Sequence, residues 1–141
     1  MFFYKKEKKE LNFKDLDIAI CTLLIHAART DEKYEDNEKK LIKNYFIKIG
    51  KDKQYIQKLI HHCEIQEKDS VEILNMTKII KKIDYERRLE IIEIILKIIY
   101  SDQQLCQYED RLIRKVAGLI YIESKDLGEI RIRIKNDLYS K

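Results

Sequence analysis

Apolar residues recur along this chain at three- and four-residue spacing, the period of amphipathic helices. The first run, Leu16, Ile20, Leu23, Leu24, Ala27 and Ala28, predicts a helix from about Phe13 to Arg29. Its apolar residues cover most of the circumference, so this helix is expected to be central and largely buried. Asn12 suits its N-cap, Asp15 its third position, and Leu11 with Leu16 the hydrophobic staple. A second helix is expected over about Glu35–Ile49. Leu41, Ile42, Tyr45, Phe46 and Ile49 mark its inner face, and Gly50 closes it. Asp52 caps a third helix that runs to about His62, with Tyr55, Ile56, Leu59 and Ile60 inward. Residues 64–68 are polar and read as a linker.

Asp69 and Glu72 fit a capping box for a fourth helix that ends near Ile83. Asp84 caps a fifth, to about Tyr100. Its Leu89, Ile91, Ile92, Ile94, Ile95, Leu96, Ile98 and Ile99 make it the most apolar element and a second central helix. A sixth covers about Cys106–Tyr121, and a seventh runs from Lys125 to Tyr139 with Ser124 as cap. Ile130, Ile132 and Ile134 alternate as a strand would, but an internal repeat favours helix. The fold class expected is all-α: a compact single-domain bundle of about seven helices with an internal pseudo-two-fold repeat.

The repeat emerges when the chain is shifted by 71 residues. Leu24 then falls on Ile95, Ala28 on Ile99, Asp31 on Asp102 and Glu38 on Glu109. Leu41 and Ile42 fall on Leu112 and Ile113, Ile49 on Ile120, Ile56 on Leu127 and Leu59 on Ile130. Apolar matches alone arise readily between helices, whereas matched acids inside matched apolar frames do not. The repeat units are about 12–63 and 84–138. Each holds one very apolar helix that a three-helix unit cannot bury alone, so the two are expected to pack against each other.

Composition supports long helices. Proline and tryptophan are absent and glycine occurs three times, so helix breakers are scarce. A chain of 141 residues can bury roughly 70% of its unfolded surface without disulfides or metals. Of the net charge of +4, residues 1–14 supply +3, through five Lys and two Glu. Residues 1–11 therefore read as an exposed basic arm before a domain at 12–141. The near-neutral remainder argues against a nucleic-acid binder, which concentrates basic charge on one face. Cys21, Cys63 and Cys106 are far apart and form no CxxC, which predicts reduced thiols in a cytoplasmic protein. Phe2, Phe3 and Tyr4 precede the lysines, the reverse of a secretory leader. The longest apolar stretch, Ile91 to Tyr100, is broken by Lys97 and is too short to span a bilayer.

Two stretches carry a family resemblance. They are Ala27-Ala28-Arg29-Thr30-Asp31-Glu32-Lys33-Tyr34-Glu35-Asp36-Asn37-Glu38 and Ile99-Tyr100-Ser101-Asp102-Gln103-Gln104-Leu105-Cys106-Gln107-Tyr108-Glu109. A buried helix, an Asp loop, a hydrophobe and a Glu opening the next helix, given twice, resemble the tellurite-resistance TerB-like family over roughly residues 13–138. The chain departs from that motif where the glycine after Asp is replaced by Glu32 and Gln103. The resemblance implies an all-helical stress-response binding or scaffold module, without known catalysis, and surface acids that take a divalent cation. Similar domains sit beside J-domains in some co-chaperones, but no His-Pro-Asp motif occurs here.

Asp31, Glu38, Asp102 and Glu109 are the candidate metal ligands, since hard cations such as Ca, Mg or Mn take several oxygen ligands. The competing reading is that acids in a first helical turn complement the macrodipole. An EF-hand is excluded, because the twelfth position from Asp31 is Ile42. His61, His62 and Cys63 look like a ligand cluster, but adjacent helical residues point about 100° apart and cannot close on one ion unaided. Phosphate-loop, hydrolase, zincin and kinase motifs are absent from the sequence. Lys78, Lys81, Lys82, Arg87 and Arg88 form one basic cluster, and Arg131, Arg133 and Lys135 another. These with the basic arm define the alternative function, a nucleic-acid- or anionic-membrane-surface-associated protein. The leading expectation is a non-enzymatic module whose partner is another protein.

Overall fold

The computed structural model describes residues 13–29, 36–68, 73–100 and 107–139. Among them are seven α-helices: α1 Asp15–Arg29, α2 Asp36–Lys48, α3 Lys53–Lys68, α4 Ile73–Ile80, α5 Tyr85–Ile99, α6 Gln107–Leu119 and α7 Ser124–Tyr139. No strand occurs among the described residues. The all-α bundle is therefore as expected, while Leu11, Asn12, the basic arm and the Asp69–Glu72 box lie outside the described residues.

Helix α1 packs against α2, α3, α4 and α5, and α5 packs against α1, α2, α6 and α7. The two apolar helices thus form a shared spine, and the others clothe it. Ten residues of α1 are buried, among them Ile20, Leu23, Leu24 and Ile25 with no exposure at all. From α5 come Ile91, Ile92, Ile95 and Leu96, equally inaccessible, and Phe46, Ile42 and Leu59 complete the core from α2 and α3. Truncating one such side chain to Ala costs about 2–5 kcal/mol, because the cavity left behind only partly collapses.

Several expectations need correction at the helix ends. Residues 64–68 are not a linker but the last turns of α3. Glu64, Gln66, Glu67 and Lys68 are good helix formers, so their polarity is no signal of a break. Glu64 is also held, since its carbonyl accepts from Arg29 Nη1 at 3.3 Å and its carboxylate meets Lys39 Nζ at 2.9 Å. Helix α4 is shorter than expected and stops at Ile80. Lys82 and Ile83 donate three residues back, to the carbonyls of Ile79 and Ile80, which tightens the chain into a turn. Ser124 lies inside α7, and the residue before it, Glu123, accepts the Leu127 N–H at 3.0 Å. Asp84 holds an extended N-cap backbone but its side chain makes no capping bond, whereas Asp52 Oδ1 accepts the Gln54 N–H at 3.2 Å. Ile130 and Ile134 are buried with Ile132 exposed between them, as helical spacing requires.

The 71-residue shift carries hydrogen bonds as well as residue types. After α2, Gly50 N–H donates to Ile47 and Lys51 N–H to Phe46. After α6, Tyr121 N–H donates to Gly118 and Ile122 N–H to Ala117. Each residue of the second set stands 71 positions beyond its counterpart. Both are the paired bonds of a Schellman stop, which needs a left-handed residue. Gly50 supplies it with φ 92°, and Tyr121 supplies it with φ 59°.

A Cβ on Gly50 would meet nothing within 4 Å, so any cost of adding one is purely that of the backbone. Gly50→Ala is expected to lose roughly 1–2 kcal/mol, the penalty of a left-handed L-residue. Gly128→Ala, inside α7 and also in open space, should gain about 0.5–1 kcal/mol. Urea denaturation of both variants checks the pair. Equal effects of one sign would contradict the backbone argument.

Candidate functional site

Of the four acidic candidates, Glu38 alone has a described side chain. It sits in the first turn of α2 and is 7% exposed. Glu109 falls in the first turn of α6, with its side chain outside the described residues, as are Asp31 and Asp102. Among the described residues no group of three or more His, Cys, Asp or Glu side chains comes together as a metal would need.

The His61–His62–Cys63 run splits as helical geometry requires. His61 is exposed toward α2, His62 lies 5.3 Å from the Phe13 ring, and Cys63 is buried. Cys63 Sγ reaches the Ile18 carbonyl at 3.8 Å and also hydrogen-bonds with Cys21. Burial pushes the Cys21 thiol well up, and the bond to Cys63 adds to that. A thiol so placed packs as a small hydrophobe and is a poor nucleophile.

The basic clusters are largely turned to structural work. Arg88 donates from Nε to Ile83 O at 3.0 Å and from Nη1 to Ile120 O at 2.7 Å, satisfying carbonyls at the ends of α4 and α6. Arg133 pairs with Glu93 at 2.8 Å and Arg131 with Asp110 at 3.0 Å. Lys81 lies over Tyr121, and Lys135 over Tyr100, each 5.6 Å from the ring centre.

Two tyrosine–carboxylate clasps escaped the sequence reading. Asp17 is 2% exposed although its neighbours on α1 are apolar. It accepts the Tyr55 hydroxyl at 2.7 Å and meets Lys51 Nζ at 3.3 Å, so a buried charge has both a donor and a counter-ion. In the second half Tyr85 donates to Asp126, and its oxygen accepts the Glu123 N–H at 3.1 Å. Each clasp ties the first helix of a half to the third, α1 to α3 and α5 to α7. The only sequence signal was an Asp interrupting an apolar run.

Solvent-facing polar groups gather instead in grooves between helices. The larger, of about 660 Å³, lies between α2 and α3 and is lined by Lys39, Lys43, Gln54, Gln57, Lys58, Ile60, His61 and Glu64. A smaller one, of about 200 Å³, lies between α2 and α5 and mixes Lys48 and Lys97 with Glu90 and Glu93.

This helical arrangement coincides with a family match. Residues 17–132 fit the family described as Tellurite resistance protein TerB. The chain belongs to the TerB family. No curated protein and no solved structure gives a match. In this TerB chain no helix among the described residues is long and apolar enough to cross a membrane.

Burial, and then the bond to Asp17, push the Tyr55 hydroxyl up to about 12. An unfolded tyrosine ionises near pH 10. The folded state therefore keeps a proton that the unfolded state releases, and this stabilisation, present below about pH 10, is lost as pH rises toward 12. Tyr55→Phe is expected to cost about 1–2 kcal/mol near neutral pH. That deficit against wild type should shrink across about pH 10–12 in urea titrations. A deficit that stays constant over the window would contradict the clasp.

Proposed function

We propose that this TerB-family chain is a non-enzymatic binding module of a tellurite-resistance or stress response, working in the cytoplasm through contact with another protein. The observation that carries the reading is where its polar chemistry lies. The buried Asp17 and the half-buried Tyr55 and Arg88 are committed to joining helices. Among the described residues, Lys43, Lys58, Gln54, Gln57 and His61 line an open surface groove. Such an arrangement suits recognition of a surface, with a rigid spine holding the grooves in shape.

Crosslinking of the tagged full-length chain in its own cells tests this. Reproducible crosslinks to one protein, concentrated on one face, are expected. Crosslinks spread evenly over all faces would count against a binding module.

A divalent cation at Asp31, Glu38, Asp102 and Glu109 is the second element of the proposal. What supports it is that Glu38 is buried in the first turn of α2, seven positions after Asp31 in the sequence. A cation that binds only the folded state stabilises it by about 2.7 kcal/mol at a hundredfold excess over Kd. Thermal melts with millimolar Ca²⁺, Mg²⁺ or Mn²⁺ against chelator, at fixed ionic strength, should show a gain of several degrees. Asp31→Asn combined with Asp102→Asn should remove it. Melts that neither metal nor the double substitution shifts would leave these acids as helix-start residues and nothing more.

A further inference from the structure

We infer that the groove between α2 and α3 is the docking surface, and that its occupant is an acidic peptide segment of the partner protein. This rests on the protein-binding reading above and names the face that performs it. The Schellman stop at Gly50 folds α2 back against α3, and the two helices pack directly. Lys39 and Lys43 stand one turn apart on α2, and Gln54, Lys58 and His61 follow at one-turn spacing on α3. All five line the same groove, with buried Ile60 as part of its floor.

Charge complementarity selects the occupant. Among the described residues that line the groove, Glu64 is the sole acid, and it is already bound to Lys39 at 2.9 Å. Lys43 and Lys58 form no ion pair with any described residue, so the groove keeps a positive excess. Carboxylates suit those two ammonium groups. Gln54 and Gln57 each present both a donor and an acceptor, which matches the amide groups of a peptide backbone. Nucleic acid fits less well. Among the described residues no Phe, Tyr or Trp lines the groove for base stacking. Two uncommitted lysines also give few phosphate contacts, where nucleic-acid binders rely on many.

The test is fluorescence anisotropy of a labelled short peptide of alternating Glu and Ser, titrated with the full-length chain at about 0.15 M salt. Lys43→Glu combined with Lys58→Glu should weaken binding roughly tenfold or more. Lys78→Glu combined with Lys82→Glu makes the same charge change at two exposed positions, one on α4 and one in the turn after it, and should stay within about twofold of wild type. Circular dichroism confirms that both double variants fold. Equal weakening by the two pairs would reduce the effect to net charge and overturn the groove. No binding by wild type, or tighter binding of a single-stranded oligonucleotide of equal charge, would overturn it too. Amide chemical-shift mapping separates this proposal from the reading beneath it. Shifts confined to α2 and α3 support the groove. Shifts on another face overturn the groove but leave a binding module standing, and crosslinking to a partner that survives the Lys43–Lys58 reversal does the same.

Discussion

Ten of the fifteen residues of α1 lie out of water, and four helices share the cover. This one burial organises the rest of the molecule. A helix apolar around most of its circumference cannot rest on a single neighbour. It must be surrounded, and each surrounding helix needs only one apolar face. α5 meets the same demand from the other half, so the lowest-cost arrangement sets the two against each other and shares the outer helices between them. α2 touches both spine helices, which is why the two halves form one core.

Polar groups then set direction where the apolar surface does not. Apolar burial is non-directional, and a helix can slide or rotate on an oily neighbour at little cost. The clasps from Tyr55 to Asp17 and from Tyr85 to Asp126 prevent this by fixing the third helix of each half against the start of the first. The paired stops at Gly50 and Tyr121 fix where α2 and α6 end. Arg88 links the two devices, since it takes up carbonyls at the stop after α6 from its place on α5. Grooves between helices inherit their shape from these fixed ends.

Much of the fold was legible in the sequence because helical periodicity is a strong signal over long, proline-free runs. The two spine helices stood out by their apolar density, and Gly50 and Asp52 announced a stop and a start. The tail of α3 was misread because residues 64–68 are polar, and polarity alone does not distinguish a loop from a solvated helical turn. Ser124 was misjudged by one residue, since Glu123 provides the first accepting carbonyl. The site was less legible. Asp17 hides in an apolar run, and nothing local says that Tyr55 and Lys51 will reach it. The groove lysines lie on two helices, whereas the basic clusters that stood out were contiguous in sequence. Contiguity made those visible, but Arg88, Arg131 and Arg133 are taken up in hydrogen bonds and ion pairs to other helices and turns of the same chain. The acidic positions Asp31, Asp102 and Glu109 carry the family resemblance, and their side chains lie outside the described residues.

A buried spine beneath more exposed flanking helices is the physical basis of the functional reading, because a binding surface keeps its shape only if the helices beneath it do not open. Native-state hydrogen exchange measures this directly. Amides in the middle of α1 and α5 should exchange slowest, at the rate of global unfolding, while those on the outer faces of α2 and α7 exchange through local openings. Core amides of α1 that exchange as fast as those of α2 would contradict the account, since the spine would then be no more stable than the helices it carries.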